Sequence, residues 1–176
     1  MPISDETTRQ DIEEFRHHFD DMYLGGIRLL LNEQGMFLAF LTMLTATEAL
    51  AGVFAPHLDT GERFRLFVSR FFPEPLGARV AHIWQFRNLM VHSFNPGPFA
   101  LVCNQSRLHL TAPFGIVTLN AEDFYAGLIK AADAYFETLD SDHELQTRFS
   151  RRLKDEDGGG VESFMVHGTN PIDGDA

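Results

Sequence analysis

The chain has 176 residues, with 14 Lys or Arg against 25 Asp or Glu, a formal charge of −11. That length suits one domain with a real core, and a hydrophobic share of 44% with 17 Phe excludes a disordered acidic chain. Taken whole, the charge argues against a general nucleic-acid binder, because such binding begins with neutralising phosphates.

The first segment, Asp5 to Leu31, carries Ile12, Phe15, Phe19, Met22, Tyr23 and Leu30 near helical spacing and predicts a helix, with Gly25-Gly26 as a bend or close contact. Its N-terminal residues are acidic and contain no apolar h-region, so no signal peptide is expected there. Gly35 to Ala55 is apolar nearly all round. It contains Glu48 and three threonines, has no basic anchors and ends at Pro56, so it predicts a central buried helix and not a membrane span. Thr60 to Phe71 predicts a third helix, with Thr60 as N-cap and Pro73 as stop. A fourth begins near Pro75 and reaches Val91, where Asn95-Pro96-Gly97-Pro98 breaks the chain.

The period then changes. Phe99–Cys103, Arg107–Thr111 and Gly115–Leu119 predict two or three short strands, with Asn104-Gln105-Ser106 as a hairpin turn. Asn120 caps a last helix, Ala121 to Leu139, continuing towards Leu153 with an interruption or second cap at Asp140-Ser141-Asp142. A polar tail follows from Lys154 to Ala176, expected to be mobile. The expected fold is an all-α four- or five-helix bundle over 5–153. A small β-hairpin or three-strand insert, about 99–119, precedes the last helix, and the first, second, fourth and last helices form the core.

Cys103 is the only cysteine, which excludes an intramolecular disulfide and a cysteine zinc site and suits a reducing cytoplasm. His17 and Asp21 are i, i+4 neighbours with no third ligand near, so a solvated face is expected there. The sequence contains no P-loop, Rossmann fingerprint, HExxH or GxSxG element, and neither metal nor cofactor is expected.

The charge is not spread evenly. Five arginines, Arg63, Arg65, Arg70, Arg79 and Arg87, face two acids between 61 and 87. Arg107 stands alone between 88 and 119, so this stretch is at +4 inside an acidic chain. A confined anion site and an ordinary solvated helix face both fit that pattern. On a helical wheel Arg87 falls in the middle of the apolar stripe formed by Val80, Ile83, Trp84, Met90 and Val91. An inward guanidinium needs a partner, and Glu48 is the one charge in the apolar second helix. The two are expected to meet. Gln85, Asn88 and His92 fall on another side of the Arg87 helix.

Phe86-Arg87-Asn88-Leu89-Met90-Val91-His92-Ser93-Phe94 resembles the R-(polar)-x-x-x-H motif helix of the HEPN superfamily. The resemblance implies an all-α bundle that dimerises with its motif helices facing each other. In active members it also implies a metal-independent endoribonuclease. Arg87 and His92 would then be catalytic, Asn88 would orient them, and Glu48 and Ser93 would support. Arg63, Arg65, Arg70 and Arg79 are candidates for binding RNA. The chemistry agrees: cleavage without a metal needs a base for the 2′-hydroxyl, an acid for the 5′-oxygen and a cation on the phosphorane. Two copies of the motif supply two of each. A toxin or antiphage role, with an antitoxin or partner protein and no membrane, goes with this reading. Where one toxin branch carries a modifiable Tyr two residues past the His, this chain has Phe94. The alternatives are a non-catalytic interaction module of the same fold and a small-molecule bundle lined by Phe.

Overall fold

The computed structural model describes residues 5–154, with side chains from 9 to 153. The expected tail, from 155 on, lies outside the described residues. The described chain is helical, with one two-stranded sheet. In chain order the elements are α1 (Asp5–Phe19), α2 (Gly26–Leu30), α3 (Met36–Phe54), α4 (Thr60–Phe71), α5 (Val80–Ser93), β1 (Phe99–Val102), β2 (Val117–Asn120), α6 (Ala121–Ser141) and α7 (His143–Lys154).

Between α1 and α2 the backbone widens into a π-helical turn, Asp20–Gly25, so the expected bend at Gly25-Gly26 takes that form. α3 is the one described helix long and apolar enough to cross a membrane. Its apolar side chains Phe40, Met43, Leu44, Leu50 and Phe54 are buried among neighbouring helices, as expected of a core helix. α4 takes a larger share of the core than the sequence suggests. Phe64, Phe67, Val68 and Phe71 recur at helical spacing and all are buried, so α4 packs along α3 and also against α6. Edge-on ring contacts tie the layers together: Phe40 meets Phe86 of α5 and Phe124 of α6, and Phe54 meets Phe71 of α4 and Tyr135 of α6.

The helix starts differ from expectation in three places, the first being Asn120, which precedes α6 without capping it, its Oδ1 instead accepting the N–H of Gln105 at 2.9 Å. α4 is capped by Asp59 and not by Thr60, since the Asp59 carboxylate accepts the N–H groups of Gly61 and Glu62 at 2.8 and 3.0 Å. α5 begins at Val80, after a 3₁₀ turn at Gly77–Arg79, and not at Pro75. The interruption before α7 is present: Asp142 ends α6, and its Oδ1 accepts the N–H of Leu145 at 3.0 Å.

The β insert is neither a hairpin nor three-stranded. β1 and β2 pair in parallel, Phe99 opposite Val117 and Val102 opposite Asn120. Parallel strands need a crossover, and here residues 103–116 supply it through two 3₁₀ turns, at Ser106–Leu108 and Pro113–Gly115. Arg107–Thr111 is therefore part of the crossover, and Asn104-Gln105-Ser106 leads into it. Positive φ at Asn104, Leu110 and Phe114 turns the chain.

His109 anchors this crossover, its Nδ1 accepting the backbone N–H of Asn120 at 3.1 Å. Burial holds the imidazole below its ordinary value of 6.5, Asp123 opposes this and Arg79 reinforces it. Folding thus disfavours the protonated ring. The unfolded chain binds more protons once the pH falls below 6.5, so the His109 contribution is intact above that pH and is lost as the pH falls through the folded value. In urea titrations between about pH 8 and about pH 5, His109→Gln should lose less stability than the wild type, because an amide accepts the same N–H without titrating. Parallel pH profiles for the two proteins would refute this.

Gly127 on α6 marks a close approach. A Cβ there would sit 2.5 Å from Leu76 Cδ1 and 3.7 Å from Phe72 Cδ1, both buried side chains. Gly127→Ala gains about 1 kcal/mol of helix propensity but overpacks by about 1–3 kcal/mol. A lowered melting temperature is expected, and a raised one would show that the site relaxes freely.

Candidate functional site

The site is built on the C-terminal half of α5, the middle of α3 and the start of α4. Phe94, with φ 47° and ψ 36°, ends α5 in the left-handed region, and its N–H closes back on Leu89 O. His92 therefore stands one residue inside the helix end, exposed, while Arg87 one and a half turns earlier is only 8% exposed.

Arg87 meets Glu48 as the two isolated charges suggested. Its Nε and Nη2 both donate to Glu48 Oε2, the former at 3.0 Å. The remaining nitrogen, Nη1, donates to Asn88 Oδ1 at 3.1 Å and lies 3.2 Å from His92 Nε2. Arginine nitrogens only donate, so this last contact is a hydrogen bond when the imidazole is neutral and its Nε2 lone pair faces Arg87. Asn88 and His92 thus join Arg87, although their Cα positions lie on another side of the helix. The length of the arginine side chain closes that angular gap.

These four side chains line an open cleft of about 640 Å³, shared with Arg65, Trp84 and a rim at Asp59–Gly61. Trp84 is flanked by two guanidinium groups, with Arg65 and Arg87 each 5.3 Å from its ring centroid. Gly61 makes room for this stack: a Cβ there would come within 3.0 Å of Trp84 Cζ2 and 3.2 Å of Arg65 Nη1. The N–H groups of Glu62 and Gly61 hold the Asp59 carboxyl below the ordinary aspartate range, so the rim carries a fixed anion beside Arg65.

The other expected residues disperse. Of the four candidate RNA-binding arginines, only Arg65 lines the cleft. Arg63 faces a hollow on the far side of Glu48. Arg70 lies over the rings of Phe54 and Phe71, and Arg79 sits by His109 on the crossover. Ser93 is exposed and outside the cleft lining. His17 and Asp21 form an exposed pair at 3.3 Å, and among the described residues no three His, Cys, Asp or Glu side chains are grouped to hold a metal ion.

Counting charge by segment hid one feature. Arg148, Arg151 and Arg152 of α7 lie in a net acidic stretch of sequence, yet with His57 and Pro56 they line a hollow of about 390 Å³. Their spacing on one helix was the available signal.

Chemically, the cleft joins an imidazole nitrogen, a buried guanidinium and an amide, open to solvent. The pattern can accept a proton and stabilise an anion at adjacent points. The chain matches no protein-family model, no curated protein and no solved structure.

Proposed function

We propose that this cleft is the reaction centre of a metal-independent endoribonuclease of the HEPN type, working as a homodimer. The observation that carries the reading is the contact between Arg87 Nη1 and His92 Nε2 in an open cleft. An RNA phosphate entering the cleft competes for Arg87 Nη1. That frees the His92 lone pair, which takes the proton of the 2′-hydroxyl. The 2′-oxygen attacks phosphorus, the P–O5′ bond breaks, and a second copy's His92 protonates the leaving oxygen. Arg87 holds the phosphorane charge, and Asn88 and Glu48 hold Arg87. The products are a 2′,3′-cyclic phosphate and a 5′-hydroxyl.

The burial of Arg87 favours a second reading, in which the Arg87–Glu48 pair is structural and the fold is a non-catalytic interaction module. Incubating the pure protein with total RNA in EDTA and mapping the new ends separates the two. Cyclic phosphate and 5′-hydroxyl ends are expected of the enzyme. Intact RNA at micromolar protein would favour the module.

A further inference from the structure

Three hollows adjoin around the corner between α3 and α4. The motif cleft and a second hollow of about 310 Å³ share Glu48. The second hollow, walled by Phe15, Tyr23 and Gly52, presents Arg63 and Arg152. It shares Arg152 with the α7 hollow, which adds Arg148 and Arg151. The connection from α3 to α4 borders both ends: Pro56 and His57 line the α7 hollow, and Asp59–Gly61 rim the motif cleft. Six arginines therefore follow one path, Arg65 and Arg87, then Arg63 and Arg152, then Arg148 and Arg151.

The acids along it are few. Glu48 is bound to Arg87, Asp59 caps α4, and Glu144 approaches Arg148 only to 3.8 Å. Arg63 Nε and Arg148 Nε are enclosed and make no hydrogen bond among the described residues. Buried donors of that kind want an acceptor. Aromatic rings stand in the first two hollows, Trp84 in the cleft and Phe15 and Tyr23 beyond Glu48. A line of cations interleaved with rings suits a strand whose bases are unstacked.

We infer that the path from the motif cleft through Arg63 and Arg152 to Arg148 and Arg151 is a track for single-stranded RNA. This rests on the ribonuclease reading for its substrate and extends it: the cleft takes the scissile phosphate, and α7 takes phosphates further along the strand. A duplex offers no free bases to the rings and should bind less well.

The test uses the full chain and a fluorescent single-stranded RNA of about 12 nucleotides, 2′-O-methylated so that it cannot be cleaved. Anisotropy is followed across a salt series for the wild type and for Arg148→Gln/Arg151→Gln/Arg152→Gln. The triple variant should bind about tenfold or more weakly, with the slope of log affinity against log salt reduced by about 2. Arg151→Glu/Arg152→Glu, which leaves Arg148 and its enclosed Nε in place, should show the same direction if the triple variant folds poorly. Wild-type affinity in both variants would overturn the track, as would equal binding of a duplex of the same sequence. Because binding is read without cleavage, weakened binding alongside unaltered cleavage by His92→Ala would leave the track standing and remove the proposed mechanism.

Discussion

Glu48→Ala should destabilise the protein by about 3–5 kcal/mol, the largest loss from any single change at the cleft. The cause is the group left behind. The Arg87 side chain is 9% exposed and gives both Nε and Nη2 to one oxygen of Glu48. Without that oxygen a cation remains buried between α3 and α5 with only Asn88, His92 and the Trp84 ring near it. Arg87→Ala should cost less, because the Glu48 side chain is 25% exposed and can turn to water. Adding Arg87→Met to Glu48→Ala should restore most of the loss, since the double change removes both charges and keeps an apolar volume. Urea denaturation of Glu48→Ala, Arg87→Met and the double variant gives the cycle. A loss from Glu48→Ala below about 1 kcal/mol would place the pair among exposed ion pairs of little value.

Arg87→Lys should keep the fold and lose cleavage. A lysine ammonium can still pair with Glu48, so the half-buried carboxylate keeps a counterion. It lacks the planar fork that reaches Glu48 through Nε and Nη2 and, with the third nitrogen, Asn88 and His92. If that fork stabilises a developing phosphorane, initial rates on RNA should fall by about 10²–10³ while the thermal melt shifts little. A rate near that of the wild type would mean that charge alone suffices and that the geometry around Arg87 is structural.

Some of this was legible in the sequence. Arg87 and Glu48 each stood alone on an apolar helix face, and burying either requires a counterion, so their meeting followed from solvation alone. The buried run of α3 followed from its being apolar nearly all round. Other features were hidden for identifiable reasons. A helical wheel places Cα directions and not the tip of an arginine, so it separated Asn88 and His92 from a guanidinium they both touch. The crossover between β1 and β2 turns at positive φ on Leu110 and Phe114, residues that give no turn signal. Three apolar runs then looked like adjacent strands. Asp59 and Thr60 are both competent N-caps in sequence, and only the geometry of the carboxylate chose between them. The α7 arginines were visible as residues, but their acidic neighbours cancelled them in a segment count. It is the fold that aligns them with Arg63.

The central claim is that His92 and Arg87 cut RNA without a metal. The direct measurement is the initial rate of cleavage of one defined RNA in excess EDTA by the wild type and by His92→Ala at equal protein concentration, with thermal melts of both. His92 is exposed, so its removal should leave the melt unchanged. The account predicts cyclic-phosphate products from the wild type and a rate about 10²–10⁴-fold lower in the variant. Equal rates from two equally folded proteins would contradict it.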